Sequence, residues 1–196
     1  MAGVERMMLD RIGDEVARAT SLVRYAPNSR FAPHVHSGGE EFFVQEGEFG
    51  DEHRLYPAGT YVRNPIGSSH SPRVGDAGCT IFVKLQQFVK DDDASVVIDT
   101  RNARWLRNDA AACETVPLHQ FRNERVSLLR WAPDTPWGDH SHDGGEEILI
   151  LEGSFSDEYG DYPAGTWLRY PDGSSHSAIA GNAGALLYLK TGHLLL

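Results

Sequence analysis

One stretch of this sequence occurs twice. Residues 34–41, His-Val-His-Ser-Gly-Gly-Glu-Glu, return 106 positions later at 140–147 as His-Ser-His-Asp-Gly-Gly-Glu-Glu. Between His34 and His70, 22 of 37 residues are identical to their counterparts without a gap, whereas unrelated sequences would share about two. A period of 106 residues is the size of a domain. The sequence therefore predicts a duplicated fold, with one domain at 1–92 and a second at 93–196.

Composition and charge exclude several classes of partner. Hydrophobic residues make up 40% of the chain, and the formal charge is −10, which disfavours nucleic acid and anionic membrane surfaces. No stretch approaches the roughly 18 apolar residues of a membrane span, and the N-terminus lacks the pattern of a signal peptide. Cys79 and Cys113 occupy non-equivalent places in the two copies, so we expect ordinary reduced thiols. These observations predict a cytoplasmic protein.

Short runs of β-forming residues alternate with glycine and proline throughout both copies. Such runs lie at 20–25, 41–45, 60–63 and 80–85, and again at 126–131, 147–151, 166–170 and 185–190. This spacing is typical of an all-β sandwich or barrel. The acidic run Asp91-Asp92-Asp93 falls at the expected domain boundary and is interpreted as a solvated linker.

Six of the nine histidines fall into two sets with identical spacing. Histidines two apart on a strand project from one face, so His34 and His36 can reach a single ion, and Glu40 has the same parity. His70 would return beside them from a later hairpin. Three imidazoles and one carboxylate suit zinc, iron, manganese or nickel better than calcium or magnesium. The predicted metal ligands are His34, His36, Glu40 and His70 in the first copy, and His140, His142, Glu146 and His176 in the second.

Other residues are given more ordinary roles. Glu41 and Glu147 would face the opposite side of their strands, and His53, His119 and His193 do not repeat. The repeated pairs Arg24/Arg130, Arg63/Arg169 and Lys84/Lys190 can face a cavity, pair with an acidic neighbour or point to solvent. Tyr56 and Tyr162 are interpreted as packing residues.

The spacing HxH(x)3E(x)6G, with a late histidine, resembles the cupin superfamily, and more closely the cupin domain of ChrR-type anti-sigma factors. The resemblance rests on Arg-Tyr-Ala-Pro at 24–27, Gly-Gly-Glu-Glu at 38–41, Tyr-Pro-Ala-Gly-Thr at 56–60 and Gly-Ser-Ser-His at 67–70, and covers nearly the whole chain, once in each half. It implies two tandem jelly-roll β-barrels, each holding a metal through the ligands named above. In the ChrR-type cupin that metal is taken to be zinc. The separate N-terminal zinc domain that binds the sigma factor has no counterpart in this sequence, so only the cupin part is expected to carry over.

Two functions follow from the resemblance. Similar small cupins include iron-type dioxygenases that cleave carbon–carbon bonds in β-diketones, which implies a metal-dependent dioxygenase acting on a small organic substrate. The alternative is a non-catalytic zinc-binding sensor or regulatory module like the ChrR cupin. Zinc or iron, two ions per chain, are the leading cofactors, with manganese and nickel as alternatives. The expected partners are a small-molecule ligand and a second copy of the chain in a homodimer, but neither nucleic acid nor a membrane.

Overall fold

A computed structural model describes residues 3–194 and divides the chain into two compact units, Met1–Ala103 and Arg104–Leu196. Every regular element in the described residues is a β-strand, apart from one 3-10 turn at Asp109–Ala111. The all-β fold class with two barrel-like halves is therefore confirmed. Within residues 3–194 no helix is long and apolar enough to cross a membrane.

The first unit is built on one large sheet and one short ribbon. Among its described residues, a seven-stranded sheet runs in the order β1-β2-β8-β4-β6-β9, with β5 beside β4, and β3 pairs with β7 separately. The strands are β1 (Val4–Ile12), β2 (Arg18–Tyr25), β3 (His34–Val35), β4 (Glu40–Gly50), β5 (Leu55–Pro57), β6 (Thr60–Asn64), β7 (Ser69–His70), β8 (Arg73–Leu85) and β9 (Val96–Asp99).

The second unit repeats this arrangement with a more continuous sheet. Its described residues form an eight-stranded sheet in the order β10-β11-β12-β17-β14-β15, with β13 beside β17 and β16 beside β14. The strands are β10 (Leu106–Asn108), β11 (Cys113–Phe121), β12 (Glu124–Trp131), β13 (Pro136–Ser141), β14 (Glu146–Asp157), β15 (Gly160–Pro163), β16 (Trp167–Tyr170) and β17 (Ser175–Thr191).

The first compact unit extends beyond the domain boundary that the sequence predicts between residues 92 and 93. Strand β9 pairs antiparallel with β6, with Tyr61 opposite Ile98 and Val62 opposite Val97. Since these pairings complete the edge of the first sheet, residues up to Ala103 belong to the first unit. The segment has no counterpart in the repeat, and for that reason its strand was not expected.

Strands β4 and β14 each bend sharply at a glycine. Both strands have two register shifts against the long strand beside them, as expected of β-bulges, which bend a strand and strengthen its twist. Gly47 lies between the shifts of β4 with φ of 70°. A Cβ atom on Gly47 would lie 2.0 Å from the Gly78 carbonyl oxygen, and one on Gly153 would lie 2.0 Å from that of Gly184. A side chain cannot fit at either place, so both bends depend on glycine.

Alternation along the central strands decides which side chains face the barrel interior. Phe42 and Val44 of β4 belong to the buried apolar cluster of the first unit, with Ile81 of β8. Glu40 has the same parity as Phe42 and therefore faces the interior, whereas Glu41 faces the opposite side of the sheet. The same alternation holds in β14, where Ile148 and Ile150 join the core cluster.

A buried ionic cluster lies on the face of β4 opposite the interior. The Arg63 guanidinium donates to Glu41 Oε2 at 2.7 Å and also to the Asp92 carboxylate. The Tyr61 hydroxyl donates to Glu41 at 2.8 Å, and the Phe88 ring stacks 3.6 Å from Arg63 Cζ. Asp92 is only 3% exposed. The interpretation of its acidic run as a solvated linker is therefore wrong for Asp92, because this carboxylate is drawn inward to pair with Arg63.

The other repeated basic residues also have acidic or polar neighbours. Lys84 Nζ donates to Thr20 Oγ1 at 3.1 Å, and Lys190 lies 3.0 Å from Glu124. Arg24 and Arg130 are exposed and lie 3.6 Å and 3.1 Å from Glu5 and Glu114, respectively. None of the three repeated pairs is among the residues that line the cavity described below. Of the three open interpretations, pairing with a neighbour is the one these contacts support.

Candidate metal centres

A two-stranded ribbon carries the outer histidines of each candidate site. His34 of β3 lies directly opposite His70 of β7, and His140 of β13 lies opposite His176 of β17. The second histidine of each His-x-His is fixed through its backbone. The His36 N–H donates to the Ser68 carbonyl at 2.9 Å. Cross-strand neighbours on one face lie within side-chain reach, so the ribbon brings three imidazoles together.

The structure brings the first predicted ligand set into one cluster. One ligand atom from each of His34, His36, Glu40 and His70 lies within 4.8 Å of the others. The three ring centroids are 4.7 to 5.0 Å apart. Glu40 Oε2 lies 3.4 Å from His36 Nε2 and 3.6 Å from His70 Nε2. His34 is exposed at the rim, while the other three residues are buried.

The second predicted ligand set also forms one cluster. One ligand atom from each of its four residues again lies within 4.8 Å of the others. The Nε2 atoms of His140 and His176 are 3.2 Å apart, and Glu146 Oε2 lies 3.6 Å from His142 Nδ1. His140 Nδ1 is 3.1 Å from the Gly138 carbonyl oxygen, which leaves Nε2 directed to the cluster. His53, His119 and His193 lie outside both sets.

The donor atoms of these clusters suit a divalent metal ion. The Nε2 atoms of His36 and His70, which lie beside Glu40, are buried and have no hydrogen-bond partner among the described residues. Orphaned buried polar atoms are costly, and a metal ion satisfies them. Burial, followed by the nearby His70 and His34, lowers the pKa of His36 to about 4. Neutral imidazole is the form that binds metal, so the chain contains two candidate metal-binding sites.

A carboxylate stands behind the late histidine of each set. In the second unit, His176 Nδ1 lies 2.8 Å from Asp157 Oδ2, which also accepts a hydrogen bond from Tyr170 at 2.8 Å. In the first unit the corresponding distance, from His70 Nδ1 to Asp51 Oδ2, is 4.0 Å. Such a carboxylate fixes the tautomer and orientation of a ligating imidazole. Asp157 therefore positions His176 from behind, and Asp51 occupies the equivalent place near His70 without being within hydrogen-bond distance of it.

Both carboxylates are held in the ionised form. Burial of Asp157 opposes ionisation, but hydrogen bonds from His176, Tyr170, the Tyr159 backbone and Tyr162 outweigh it and lower the pKa to about 2. Asp51 has a lowered pKa in the same way, with hydrogen bonds from the Tyr56 hydroxyl and the backbone of the following turn. Tyr56 and Tyr162 thus hydrogen-bond to a site carboxylate in addition to packing.

Sequence reasoning missed these two aspartates although the repeat contained the signal. Asp51 and Asp157 are 106 residues apart, like the ligands, and each precedes an identical glutamate. Asp157 also accepts hydrogen bonds from backbone N–H groups of the turn that follows it. One side chain performs both roles, and the turn alone is enough to explain an aspartate at this position.

Replacing Asp157 by asparagine is expected to weaken metal binding at the second site about 10- to 100-fold, because His176 would lose its charged partner. The measurement is the zinc dissociation constant by competition with a chromophoric chelator, in a chain whose first site is disabled by His36→Ala. Asp161→Asn, an exposed aspartate of the same hairpin, is the matched control and should leave zinc affinity unchanged. Equal affinities for the two variants would contradict the positioning role.

An open cavity of about 380 Å³ lies against the second candidate centre. All four ligand residues of that set contribute to its wall. The remaining wall is largely apolar and includes Leu129, Trp131, Trp137, Phe155 and Leu187. This combination of apolar walls with a few convergent polar groups is typical of small-molecule sites.

Comparison with known proteins places the fold and the repeat in context. The sequence model of one protein family, described as the ChrR cupin-like domain, matches residues 1–89 and again residues 93–195. Among curated proteins no sequence matched the chain.

Solved structures share the fold at low sequence identity. A protein from Nostoc punctiforme PCC 73102, described as a candidate dioxygenase, superposes with a TM-score of 0.83 at 17% identity, over 97% of this chain and 74% of that one. A cupin 2 conserved barrel domain protein from Leptotrichia buccalis gives 0.68 at 14%, over 97% and 89%. Oxalate decarboxylase from Lactobacillus farciminis, in complex with formate, gives 0.65 at 11%, over 96% and 86%.

Proposed function

Because this chain belongs to the family of ChrR cupin-like domains, once in each half, we propose that it binds one divalent metal ion in each barrel through the two ligand sets. We propose further that the ion of the second barrel is catalytic and that the protein is a metal-dependent dioxygenase acting on a small organic substrate. The observation that supports this is the 380 Å³ cavity, whose wall includes His140, His142, Glu146 and His176.

The residues of the second barrel have separable roles in this proposal. An ion held there would supply Lewis acidity and, if iron, redox chemistry toward dioxygen. Leu129, Leu187 and Phe155 form an apolar wall that excludes water from the reacting groups. Asp157 keeps the proton of His176 on Nδ1, so that Nε2 is free to bind. The half-buried His140 lies at the side of the cluster that solvent can reach.

A non-catalytic zinc site is the second candidate function, and the first barrel is the one that favours it. Asn64 Nδ2 donates to Glu40 Oε2 at 2.9 Å, which fixes the ligand carboxylate. The Tyr25 ring packs 5.3 Å from Phe31 and 5.6 Å from Phe49, close to the ligands. Four protein ligands around zinc with no open position make a structural or sensory site. The first barrel would then hold a zinc ion that stabilises its ribbon.

Metal analysis combined with oxygen consumption tests the proposed function. Protein purified without added ions should contain two divalent ions per chain by inductively coupled plasma mass spectrometry. With iron in the second site, a panel of β-diketones should include a substrate that supports oxygen uptake well above the rate of the metal-free protein. Addition of a chelator should abolish that uptake, and re-addition of iron should restore it.

Two results would count against the enzyme. Stoichiometric zinc in both sites, with no oxygen uptake after iron substitution, would favour the sensor or structural role. Oxygen uptake that survives removal of all metal would place the reaction elsewhere. His53→Ala, which alters an exposed histidine outside both sets, is the control for nonspecific metal binding by histidine.

A further inference from the structure

The two barrels share their candidate ligands but differ in the residues around them. The cavity of the second barrel is also lined by Arg125 at the start of β12. Residues of one parity on a strand face one side, so Arg125 lies on the same face of β12 as Leu129 and Trp131, which line the cavity. Arg125 is exposed to solvent as well. It therefore stands at the open end of the cavity.

No acidic side chain among residues 3–194 forms an ion pair with Arg125. Its side chain also forms no hydrogen bond with another described residue. Arg130, five residues later on the opposite face of β12, instead lies 3.1 Å from Glu114 and stacks on Trp105 at 4.0 Å. A guanidinium presents a planar fork of donors that matches a carboxylate in bidentate geometry. The fork of Arg125 is available for such a group.

The cavity wall also includes the aromatic ring of Trp131. Trp131 is 4% exposed and lines the cavity, and its indole Nε1 is buried without a hydrogen-bond partner among the described residues. A buried donor left unpaired is uncommon and costly. Since this nitrogen is inaccessible to solvent, Trp131 contributes aromatic surface rather than a donor to the cavity wall. The cavity thus offers a cation at its mouth and an aromatic and apolar wall behind it.

The equivalent positions of the first barrel are occupied by neither an arginine nor a tryptophan. The residue 106 positions before Arg125 is Ala19, which is 4% exposed, and the one before Trp131 is Tyr25. Gln87 Nε2 donates to the Ala19 carbonyl at 2.9 Å. The candidate metal ligands are identical in the two barrels. The barrels would therefore differ in which small molecules they select and not in which residues hold an ion.

We propose that the second barrel binds a small organic anion whose carboxylate pairs with Arg125 at the cavity mouth while its chelating oxygens reach the ligand cluster. This rests on the proposed function, because it assumes an ion at His140, His142, Glu146 and His176. The charged groups lining the cavity are Arg125, Asp143 and Glu146, beside three histidines. With a divalent ion the cavity has a net positive charge, and without it the net charge is negative. Anion binding therefore depends on the metal.

The test compares two diketones of matched chelating group on zinc-loaded protein. Zinc is redox-inert, so binding is measured without turnover. The probes are 4,6-dioxoheptanoate, which has a carboxylate, and the neutral heptane-2,4-dione, and the readout is isothermal titration calorimetry. Wild-type protein should bind the anion about tenfold or more tightly than the neutral diketone, as expected for a charge-assisted pair. The anion should bind with a stoichiometry of one per chain.

Arginine variants on the two faces of β12 separate the contribution of Arg125 from a general effect of positive charge. Arg125→Ala should bind both diketones equally, and Arg125→Lys should retain part of the preference for the anion. The matched control Arg130→Ala removes the same charge from the other face and should keep the full preference. Metal-free protein should not bind the anion.

The outcomes separate this inference from the proposed function. If wild-type protein binds both diketones equally, or if Arg125→Ala keeps its preference for the anion, the assignment of Arg125 is wrong while a substrate site at the ion still stands. If neither diketone binds zinc-loaded protein, the substrate site itself is wrong and the inference falls with it. A stoichiometry of two per chain would show that the barrels do not differ in selection.

Discussion

Replacing His142 by alanine is expected to remove one of two bound metal ions from the chain and to abolish oxygen uptake. Three donors would remain in the second set, and the loss of affinity should exceed the 10- to 100-fold that loss of an outer partner causes. His142 is buried, and its ring centroid lies 4.8 Å and 4.9 Å from those of His140 and His176.

The equivalent change in the first barrel gives the contrasting result. His36→Ala should also reduce the metal content from two ions to one, yet oxygen uptake should persist, because the proposed catalytic cavity belongs to the second barrel. The double variant should contain no stoichiometric metal. Mass spectrometry of the native protein counts the ions, and circular dichroism verifies that each variant is folded. Loss of both ions from either single variant would show that the two sites are not independent.

Arg63→Ala is expected to lower the free energy of unfolding by about 3 to 5 kcal/mol. The guanidinium is fully buried and contacts the carboxylates of Glu41 and Asp92. Its removal would take a cationic partner at 2.7 Å away from the carboxylate of Glu41, which is itself 0% exposed. Removal of one partner is far more damaging than replacement of both by apolar residues of similar size. The double variant Glu41→Leu/Arg63→Met should therefore be more stable than Arg63→Ala.

Equilibrium urea unfolding followed by circular dichroism provides the measurement, with each transition analysed separately because the chain has two units. Arg24→Ala is the control, since Arg24 and Glu5 have side chains 70% and 79% exposed, and surface pairs contribute little. Arg169, whose guanidinium lies 4.0 Å from Glu147 and is 28% exposed, should be the less costly arginine to lose. An Arg63→Ala transition indistinguishable from that of Arg24→Ala would refute the role of the buried cluster.

Much of the fold and of the candidate site could be predicted because the repeat identifies the residues that are the same in both barrels. Period-two alternation indicated the central strands, and the shared offset singled out four side chains per barrel that the structure places together. The sequence did not predict the length of β4, whose glycine bend at Gly47 lets the strand continue to Gly50. It also did not reveal that Asp92 is buried, because a run of like charges looks the same whether or not one member finds a partner such as Arg63.

The same logic explains why Arg125 was not predicted. A repeat draws attention to residues that are identical in the two copies, and Arg125 stands opposite Ala19. Nothing in the local sequence distinguishes an arginine at a cavity mouth from one on a solvated strand edge. The difference appears only when Trp131 and the ligand cluster are seen to line the same cavity as Arg125.

The two ribbons that carry the candidate metal ligands differ in a way that affects how an ion binds and is released. In the second barrel His176 belongs to β17, a single strand of 17 residues that also pairs with β12 and β14. In the first barrel Pro72, which has no N–H to donate, separates β7 from β8. The strands of His34 and His70 pair over two residues a side, and the pairing continues beyond Pro72 as an isolated bridge between Arg30 and Arg73. Opening the shorter ribbon breaks fewer hydrogen bonds and exposes its histidines more often. Two ligand sets of identical chemistry can thus exchange their ions on different timescales, the first quickly and the second slowly.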